Sequence, residues 1–332
     1  MSVASVPRRR RGWAFGLGLI ISLGCLLWAL FVLDWRDVGS ALRQARWSWL
    51  LLAVGAVLLR VASRAARWRG LFVTLPPGYL ASLTALLIGQ TFNYVAPAWA
   101  GDLTRAYLVG EQAGQNKGRA LGTVVVEKVL DLILFLCFLA VLSLCMELPD
   151  WLDVPARTLG AIALAGLGVF ALGLVRRVWV ERILAHMLGP LPPTWRERVL
   201  KFAARMLDGL AALRTPHTLI RAGFWSLWLW GWDAAAHYAV LRALGLRLPL
   251  LAPLLLSTAL RAAFAVSAVP GQVAVYEGIV VMALSLFTGV DAAAAFSVGL
   301  LRHVVDFVPP ALVALPLVLL GRPGWSDLGG AG

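Results

Sequence analysis

The sequence predicts an all-α, polytopic membrane helix bundle with one or two broken or re-entrant segments. Three observations carry this. Of 332 residues, 60% are hydrophobic and only 14% charged, against about 25% charged in an ordinary soluble domain. The apolar residues come in blocks, several near the ~20 residues that a helix needs to cross the hydrocarbon. Runs such as Leu132 to Leu144 are apolar on every face, whereas barrel strands alternate with polar lumen positions. Helices satisfy their backbone groups internally, so such blocks form helices in lipid. The mean hydropathy is +0.81.

About eight spans are expected in a single membrane domain covering residues 1–332. Arg8 to Arg11 precede an apolar run from Trp13 to Leu33. This run is too long for a signal-peptide core and has no small-residue cleavage site after it, so it reads as a retained span with its basic start in the cytoplasm. A second span runs from about Trp47 to Val61 and ends in Arg60, Arg64, Arg67 and Arg69, a basic cluster expected on the cytoplasmic face.

Residues 80–101 are atypical, with Gln90, Asn93, Pro97 and Gly101 followed by Asp102. Polar groups and proline at membrane depth need protein or water around them. A clear span follows from Ala120 to Cys145, then an acidic loop with Glu147, Asp150 and Asp153, then a span from Leu159 to Leu174. Residues 176–218 form the longest polar stretch, rich in arginine, with Leu200, Ala203, Ala204, Leu207 and Leu210 at helical spacing. That pattern fits a cytoplasmic amphipathic helix on anionic lipid.

Charge parity constrains the atypical block. If residues 80–101 crossed fully, the acidic loop would be cytoplasmic and the arginine-rich stretch outside, against the positive-inside rule. If they dip in and return, every loop falls on the expected side. A re-entrant hairpin is therefore expected there, in a protein of the cytoplasmic (inner) membrane whose N-terminus is cytoplasmic.

The C-terminal half, 219–320, holds apolar blocks at Ala222–Leu241, Leu250–Val269, Val273–Leu286 and Ala292–Leu320. Pro270 and Gly271 precede Glu277 much as Pro97 and Gly101 accompany Asp102. Matching Gly/Pro interruptions in two halves point to a transporter-like internal repeat; chance likeness in a chain rich in both residues is the competing explanation. The sequence leaves open whether Leu250–Val269 crosses or re-enters.

The net charge of +13 does not indicate a nucleic-acid partner, because the basic residues lie between spans. Cys25, Cys137 and Cys145 lie in apolar runs without CxxC spacing or a histidine cluster. They read as small apolar residues, and no metal or cofactor is expected. There is no GxxxxGK[ST], HExxH or GxSxG motif, so the protein is read as a non-enzyme.

A few charges need explanation, because a charge deep in lipid costs at least ~2.5 kcal/mol. Glu127 and Asp131 share one helix face with Lys128 beside them. They either anchor the span through Lys128 or Arg119, or line a polar cavity. Beside the Pro97 break, Asn93 and the pair Asp102 and Arg105 either cap the next helix or flank a mouth in which Arg105 grips a phosphate. Trp225, Trp228, Trp230 and Trp232 read as an interfacial belt. Asp233 and His237 share a helix face, which is weak evidence for a proton relay or a metal. Arg261 is isolated in an apolar run; Arg302 and Asp306 can pair one turn apart, with His303 beside them. Such arginines are bundle glue or a headgroup site.

Certain stretches resemble a known family. These are Asn93-Tyr94-Val95-Ala96-Pro97, Gly101-Asp102-Leu103-Thr104-Arg105-Ala106, and Gly122 to Asp131 containing Val126-Glu127-Lys128. Together with Pro270 to Gly278 they are similar to signatures of flippase-like membrane proteins related to the transmembrane region of lysylphosphatidylglycerol synthase. The resemblance runs from about Trp13 to Leu320. It implies a multispanning cytoplasmic-membrane protein handling lipid, as a stand-alone member without the synthase domain. Gln272 stands where many relatives carry a second glycine.

The resulting expectation is transbilayer movement of a lipid or lipid-linked substrate with a charged, anionic or zwitterionic headgroup. Asn93, Asp102, Arg105, Glu127, Asp131, Arg261, Glu277, Arg302 and Asp306 would line or gate the path, with breaks at Pro97, Gly101, Pro270 and Gly271. The alternative is a non-transporting partner of a lipid-modifying or glycosyl-transferring enzyme, with its acids and arginines paired in a well-packed interior. A weaker third reading is an intramembrane enzyme.

Overall fold

A computed structural model describes residues 35–72, 76–95, 100–112, 117–147, 215–266 and 274–319, with isolated positions between 153 and 201. The expected first span, the span at Leu159–Leu174, most of the amphipathic stretch, and Pro97, Pro270 and Gly271 lie outside the described residues. Nine α-helices and no strand occur among the described residues: α1 Trp35–Arg43, α2 Trp47–Gly70, α3 Tyr79–Val95, α4 Ala100–Gln112, α5 Lys117–Cys145, α6 Pro216–Ala243, α7 Leu251–Val266, α8 Val275–Leu284 and α9 Ala292–Leu319. The protein is a multi-pass membrane helix bundle. Three described helices are long and apolar enough to cross a bilayer: α2, α5 and residues Ala292–Ala314 of α9.

The distribution of polarity is inverted relative to a soluble protein. Arg67, Arg105, Glu127 and Arg302 are buried, while Leu51, Leu52, Phe92, Leu144, Ile220, Phe224, Leu227 and Leu312 are exposed. Lipid tails are as apolar as leucine, so exposure of these side chains costs nothing in a bilayer.

By internal contacts the chain divides into two compact units. One comprises Met1–Leu58, Thr91–Ala100 and Trp232–Pro310; the other comprises Leu59–Gln90, Gly101–Gly231 and Ala311–Gly332. They are called here the Asp233 unit and the Glu127 unit after their central acids.

In the Glu127 unit, α3 and α4 fold back on each other. A Cβ added at Gly89 would lie 2.5 Å from the Gly101 carbonyl oxygen and 3.2 Å from the Arg105 Cβ. Were α3 and α4 one continuous helix, a rise of about 1.5 Å per residue would put Gly89 and Gly101 roughly 18 Å apart. The apolar block at residues 80–101 is therefore two helices in a hairpin, pressed together where neither glycine has a side chain. Trp68, Phe72, Ala85, Ala106, Val109, Ala120 and Val124 pack as the core of this unit. Trp68 Nε1 donates to Thr123 Oγ1 at 3.0 Å, which fixes α2 against α5.

In the Asp233 unit, α7 packs on α8. A polar cavity of about 530 Å³ is lined by Ser40, Gln44 and Arg46, by Ala243 and Gly245 at the end of α6, and by Asp291, Ala293 and Ala294 at the start of α9. As consecutive helices packed on each other, α7 and α8 form a second helical hairpin. Gly245 makes the preceding turn with φ +78°, a conformation that suits a residue without Cβ. Asp291 Oδ1 accepts the Ala294 N–H at 2.7 Å and caps α9.

The element order repeats. Each half reads long helix, helical hairpin, long helix: α2, α3–α4, α5 and then α6, α7–α8, α9.

Candidate functional site

Each unit contains a buried cluster of ion pairs, built by helices that supply charges one turn apart. In the Glu127 unit, α2 supplies Arg64 and Arg67, α4 supplies Asp102 and Arg105 from its first turns, and α5 supplies Glu127, Lys128 and Asp131. Glu127 is fully buried. Its Oε1 accepts from Arg64 Nε at 2.7 Å and its Oε2 from Arg105 Nη1 at 2.8 Å, with Arg67 Nη2 3.5 Å from Oε1. Arg67 Nη1 donates to Asp131 at 2.7 Å and to Ser226 Oγ at 2.8 Å. Arg105 also pairs with Asp102 at 2.9 Å, and Lys128 pairs with the other Asp102 oxygen at 2.8 Å. The Arg105 guanidinium lies over the Trp68 ring, 4.8 Å from its centroid, a cation–π contact that the Trp68–Thr123 bond holds in place.

Seven charges converge here: four cations and three carboxylates. Among the described residues the cluster carries one surplus positive charge. Arg67, Arg105 and Glu127 are withdrawn from the surface, whereas the Asp131, Arg64 and Lys128 side chains are 27%, 28% and 55% exposed.

The Asp233 unit holds the second cluster. Asp233 accepts from Arg261 at 3.0 Å and from Arg302 at 2.9 Å. Arg302 also pairs with Asp306 one turn on. Asp306 Oδ2 accepts the Tyr276 hydroxyl at 3.0 Å. Glu277 Oε1 lies 2.6 Å from His303 Nδ1, and its Oε2 accepts the Ala274 N–H at 2.7 Å. The His303 ring stacks on Tyr276 with centroids 4.7 Å apart and meets Phe307 edge-on at 4.4 Å. Gly299 permits this geometry: a Cβ there would lie 3.0 Å from the Glu277 Cα. Its small size lets α9 approach α8 closely enough for His303, one turn later, to reach the carboxylate. Among the described residues, three carboxylates here face two guanidiniums and one imidazole.

The two clusters use equivalent helix positions. Arg64 is the eighteenth residue of α2 and Asp233 the eighteenth of α6; Glu127 and Arg302 are each the eleventh residue of α5 and α9. The Arg64–Glu127 pair thus recurs as Asp233–Arg302 with its polarity reversed. Asp102 and Glu277 are each the third residue of α4 and α8, and Lys128 and His303 each the twelfth of α5 and α9. The Lys128–Asp102 pair recurs as His303–Glu277 with its polarity kept.

Several sequence expectations need correction. Glu127 does not anchor α5 through Lys128 or Arg119; it holds three arginines, and Lys128 turns to Asp102. Arg64 and Arg67 are not simply loop charges, because α2 continues to Gly70 and carries both into the cluster. The α4 helix begins at Ala100, so Asp102 sits inside its first turn. Asp233 pairs with two arginines, and no group of three or more potential metal ligands occurs among the described residues. Asn93 lies half-buried near the end of α3. Sequence reasoning missed Arg64, Arg67, Ser226 and Tyr276 as cluster members. The one available signal was the spacing of Arg64 and Arg67, which puts them on one helix face, as Glu127 and Asp131 are on theirs.

Residues 15–314 match the family model described as the lysylphosphatidylglycerol synthase TM region. The chain is 25% identical to a UPF0104 membrane protein of Pyrococcus horikoshii, over 92% of this chain and 97% of that one. It is 22% identical to a UPF0104 membrane protein of Methanothermobacter thermautotrophicus, over 87% and 90% respectively. It is 26% identical to the glycosyltransferase AglD of Haloferax volcanii, over 90% of this chain but only 53% of that protein. No solved structure matches it. A match over most of the length, spanning the helices that build both clusters, shows that the chain belongs to the family of the lysylphosphatidylglycerol synthase TM region.

Proposed function

We propose that this protein moves a lipid, or a lipid-linked substrate, with an anionic or zwitterionic headgroup from one membrane leaflet to the other. The observation that carries this reading is the Glu127 cluster, a buried group of charges with a cation surplus, set beside a helical hairpin. Charges at membrane depth cost roughly 2.5–3.5 kcal/mol each on insertion scales. Replacing buried ion pairs by apolar residues is often neutral or stabilising, so packing alone gives no reason to keep seven.

Asp102 occupies the place that a headgroup phosphate would take. Its two oxygens lie on Arg105 and Lys128, and Arg105 can hold phosphate through two parallel hydrogen bonds. An arriving phosphate exchanges with Asp102, and the hairpin is then free to shift. Charge parity supports placing the mouth of this hairpin at the cytoplasmic face, with the N-terminus on the same side. Asn93, Asp131, Arg261, Glu277, Arg302 and Asp306 complete the proposed gating set, with breaks proposed at Pro97, Pro270 and Gly271; Gly101 is not a break, because it lies inside the first turn of α4.

The test is full-length protein in phosphatidylethanolamine–phosphatidylglycerol vesicles with fluorescent phosphatidylglycerol, its outer-leaflet fraction read by dithionite quenching. Accelerated exchange is expected, falling at least tenfold in Arg105→Gln, since each ~1.4 kcal/mol of lost headgroup interaction is tenfold. Failure to move phosphatidylglycerol, phosphatidylethanolamine or a polyprenyl-phosphate probe rejects the proposal.

A second reading, a non-transporting partner of a lipid-modifying or glycosyl-transferring enzyme, has two observations in its favour. The acids and arginines are paired, and the likeness to AglD covers about half of a protein named as a glycosyltransferase. Vesicles that move no lipid, combined with a change in the rate of a co-reconstituted glycosyltransferase, would select it.

A further inference from the structure

We infer that the polar cavity bordered by Arg46 and Asp291 binds the headgroup of a zwitterionic phospholipid with a primary ammonium, its phosphate on Arg46 and its ammonium on Asp291. The site lies wholly within the Asp233 unit, and it does not require that any lipid crosses the membrane.

The first observation is its depth. Residues Ala292–Ala314 of α9 are long and apolar enough to cross a bilayer, and so is α2 from Trp47 onward. The cavity is lined by Arg46, the residue before α2, and by Asp291 and Ala293, where α9 begins. Two spans therefore start at its walls, and α6 ends there at Ala243. The hydrocarbon is about 30 Å thick, and headgroups add roughly 5–7 Å on each side. The cavity sits at headgroup level. Trp47, 76% exposed, marks the same level, as tryptophans at the membrane–water boundary do. Arg302 lies ten residues beyond Ala292, about 15 Å along the helix, so the cavity is separate from the buried ion pairs.

The second observation is that the walls are fixed. The Arg46 N–H donates to the Ala243 carbonyl at 2.9 Å, which pins the joint between α1 and α2 onto the end of α6. Around Gly245, with its positive φ, the Gly245 N–H donates to the Arg242 carbonyl at 3.1 Å and the Leu246 N–H to the Leu241 carbonyl at 2.9 Å. This pair of bonds closes a helix C-terminus. The Arg242 guanidinium lies over the Trp49 and Tyr238 rings, 5.5 and 5.9 Å from their centroids, and ties α6 to α2. Between these walls, small residues such as Ala41 and Ala293 leave about 530 Å³, a volume in the usual range for a small-molecule site.

The third observation is the chemistry of the lining. Arg46 and Asp291 bring charges of opposite sign to one cavity, and both are exposed. A guanidinium holds phosphate through parallel hydrogen bonds. Asp291 Oδ1 caps α9, and a carboxylate has acceptor capacity beyond one such bond. An ammonium fits it, because it brings both charge and N–H donors. A phosphoglycerol headgroup brings no cation to the carboxylate, and a trimethylated ammonium brings no N–H. Gln44 adds a donor and an acceptor at the rim.

The test is native mass spectrometry of the full-length protein in micelles. It is titrated with dioleoyl phosphatidylethanolamine, phosphatidylcholine or phosphatidylglycerol, and the apparent affinity of the first lipid bound is read. Phosphatidylethanolamine should bind about three- to fivefold tighter than either of the others, the scale of one exposed ion pair. Asp291→Asn keeps the α9 cap, since asparagine caps as well as aspartate. It should bring phosphatidylethanolamine down to the phosphatidylglycerol level. Arg46→Gln leaves the backbone bond to Ala243 in place and should weaken all three lipids. No preference in the wild type, or a preference that survives Asp291→Asn, overturns the site. Soluble phosphoethanolamine should compete only weakly; affinity equal to that of the lipid would make the ligand a soluble phosphate ester and overturn the lipid assignment. All of these readings are of binding, so they are decided independently of lipid exchange in vesicles.

Discussion

The Glu127 cluster and the Asp233 cluster occupy the same places in two successive runs of long helix, hairpin and long helix, yet their charges differ in sign. One collects three arginines around a glutamate; the other collects two arginines around an aspartate. One has a half-exposed lysine on the hairpin acid, the other a histidine clamped between aromatic rings. What is common to both is that a pair must exist between the eighteenth residue of the first long helix and the eleventh of the second. A buried charge without its partner is costly whichever sign it has, so the fold demands pairing but leaves polarity open. The sign is where the two regions are free to differ, and there they do: an arginine on the first long helix meets a glutamate in one, and an aspartate there meets an arginine in the other.

The largest effect that would break this comparison comes from removing one partner. Glu127→Ala removes the buried carboxylate that three guanidiniums share, leaving Arg67 with Asp131 and Arg105 with Asp102, and Arg302→Ala takes one of two arginines from Asp233 and the paired arginine from Asp306. Each should cost roughly 3–5 kcal/mol, more for Glu127, as measured by denaturant unfolding of the purified protein in micelles. Stability unchanged within error in both would mean that the clusters are hydrated and their pairing is incidental.

The hairpin contacts come next. Gly89→Ala drives a methyl group onto a backbone carbonyl and should cost about 1–3 kcal/mol. Gly299→Ala meets the Glu277 Cα at 3.0 Å and should cost less. A reversed order, read from the same unfolding curves, would show that the second hairpin is the stiffer one.

Tyr276→Phe removes a hydrogen bond to a carboxylate and should cost about 1.5–3 kcal/mol, with the lower end expected because Arg302 still holds Asp306. Smallest in stability is Lys128→Ala. The lysine side chain is 55% exposed, and exposed pairs contribute about 0–1 kcal/mol. Its effect should appear instead in lipid exchange. A large loss of stability there would make Lys128 part of the scaffold and weaken its comparison with His303.

Much of this fold could be read from the residues alone. Long apolar runs give α2, α5 and α9, and the polar groups with Pro97 mark the place where α3 ends and α4 begins. Glu127 and Asp131 declare themselves by sharing a face in a span where charge is expensive. Their partners do not. Arg64 lies at the end of α2, where basic residues ordinarily mark a cytoplasmic boundary, and it meets Glu127 across 63 positions of sequence. Helical periodicity says which residues share a face but not which faces meet. The same limit hid Tyr276, an aromatic residue in an apolar helix until its hydroxyl is seen on Asp306. The repeat was faintly visible as two Gly/Pro breaks followed by acids. Its register required the helix starts, because only counting from Lys117 and Ala292 aligns Glu127 with Arg302 and Lys128 with His303.

Ala274 carries a further consequence. It is the one non-glycine residue with positive φ among the described residues, at +68°, a conformation that disfavours an L-residue by roughly 1–2 kcal/mol. Its N–H is held by Glu277, the same carboxylate that grips His303. Loss of the Glu277 carboxylate would release this N–H and remove one of the bonds that hold Ala274 in its disfavoured conformation.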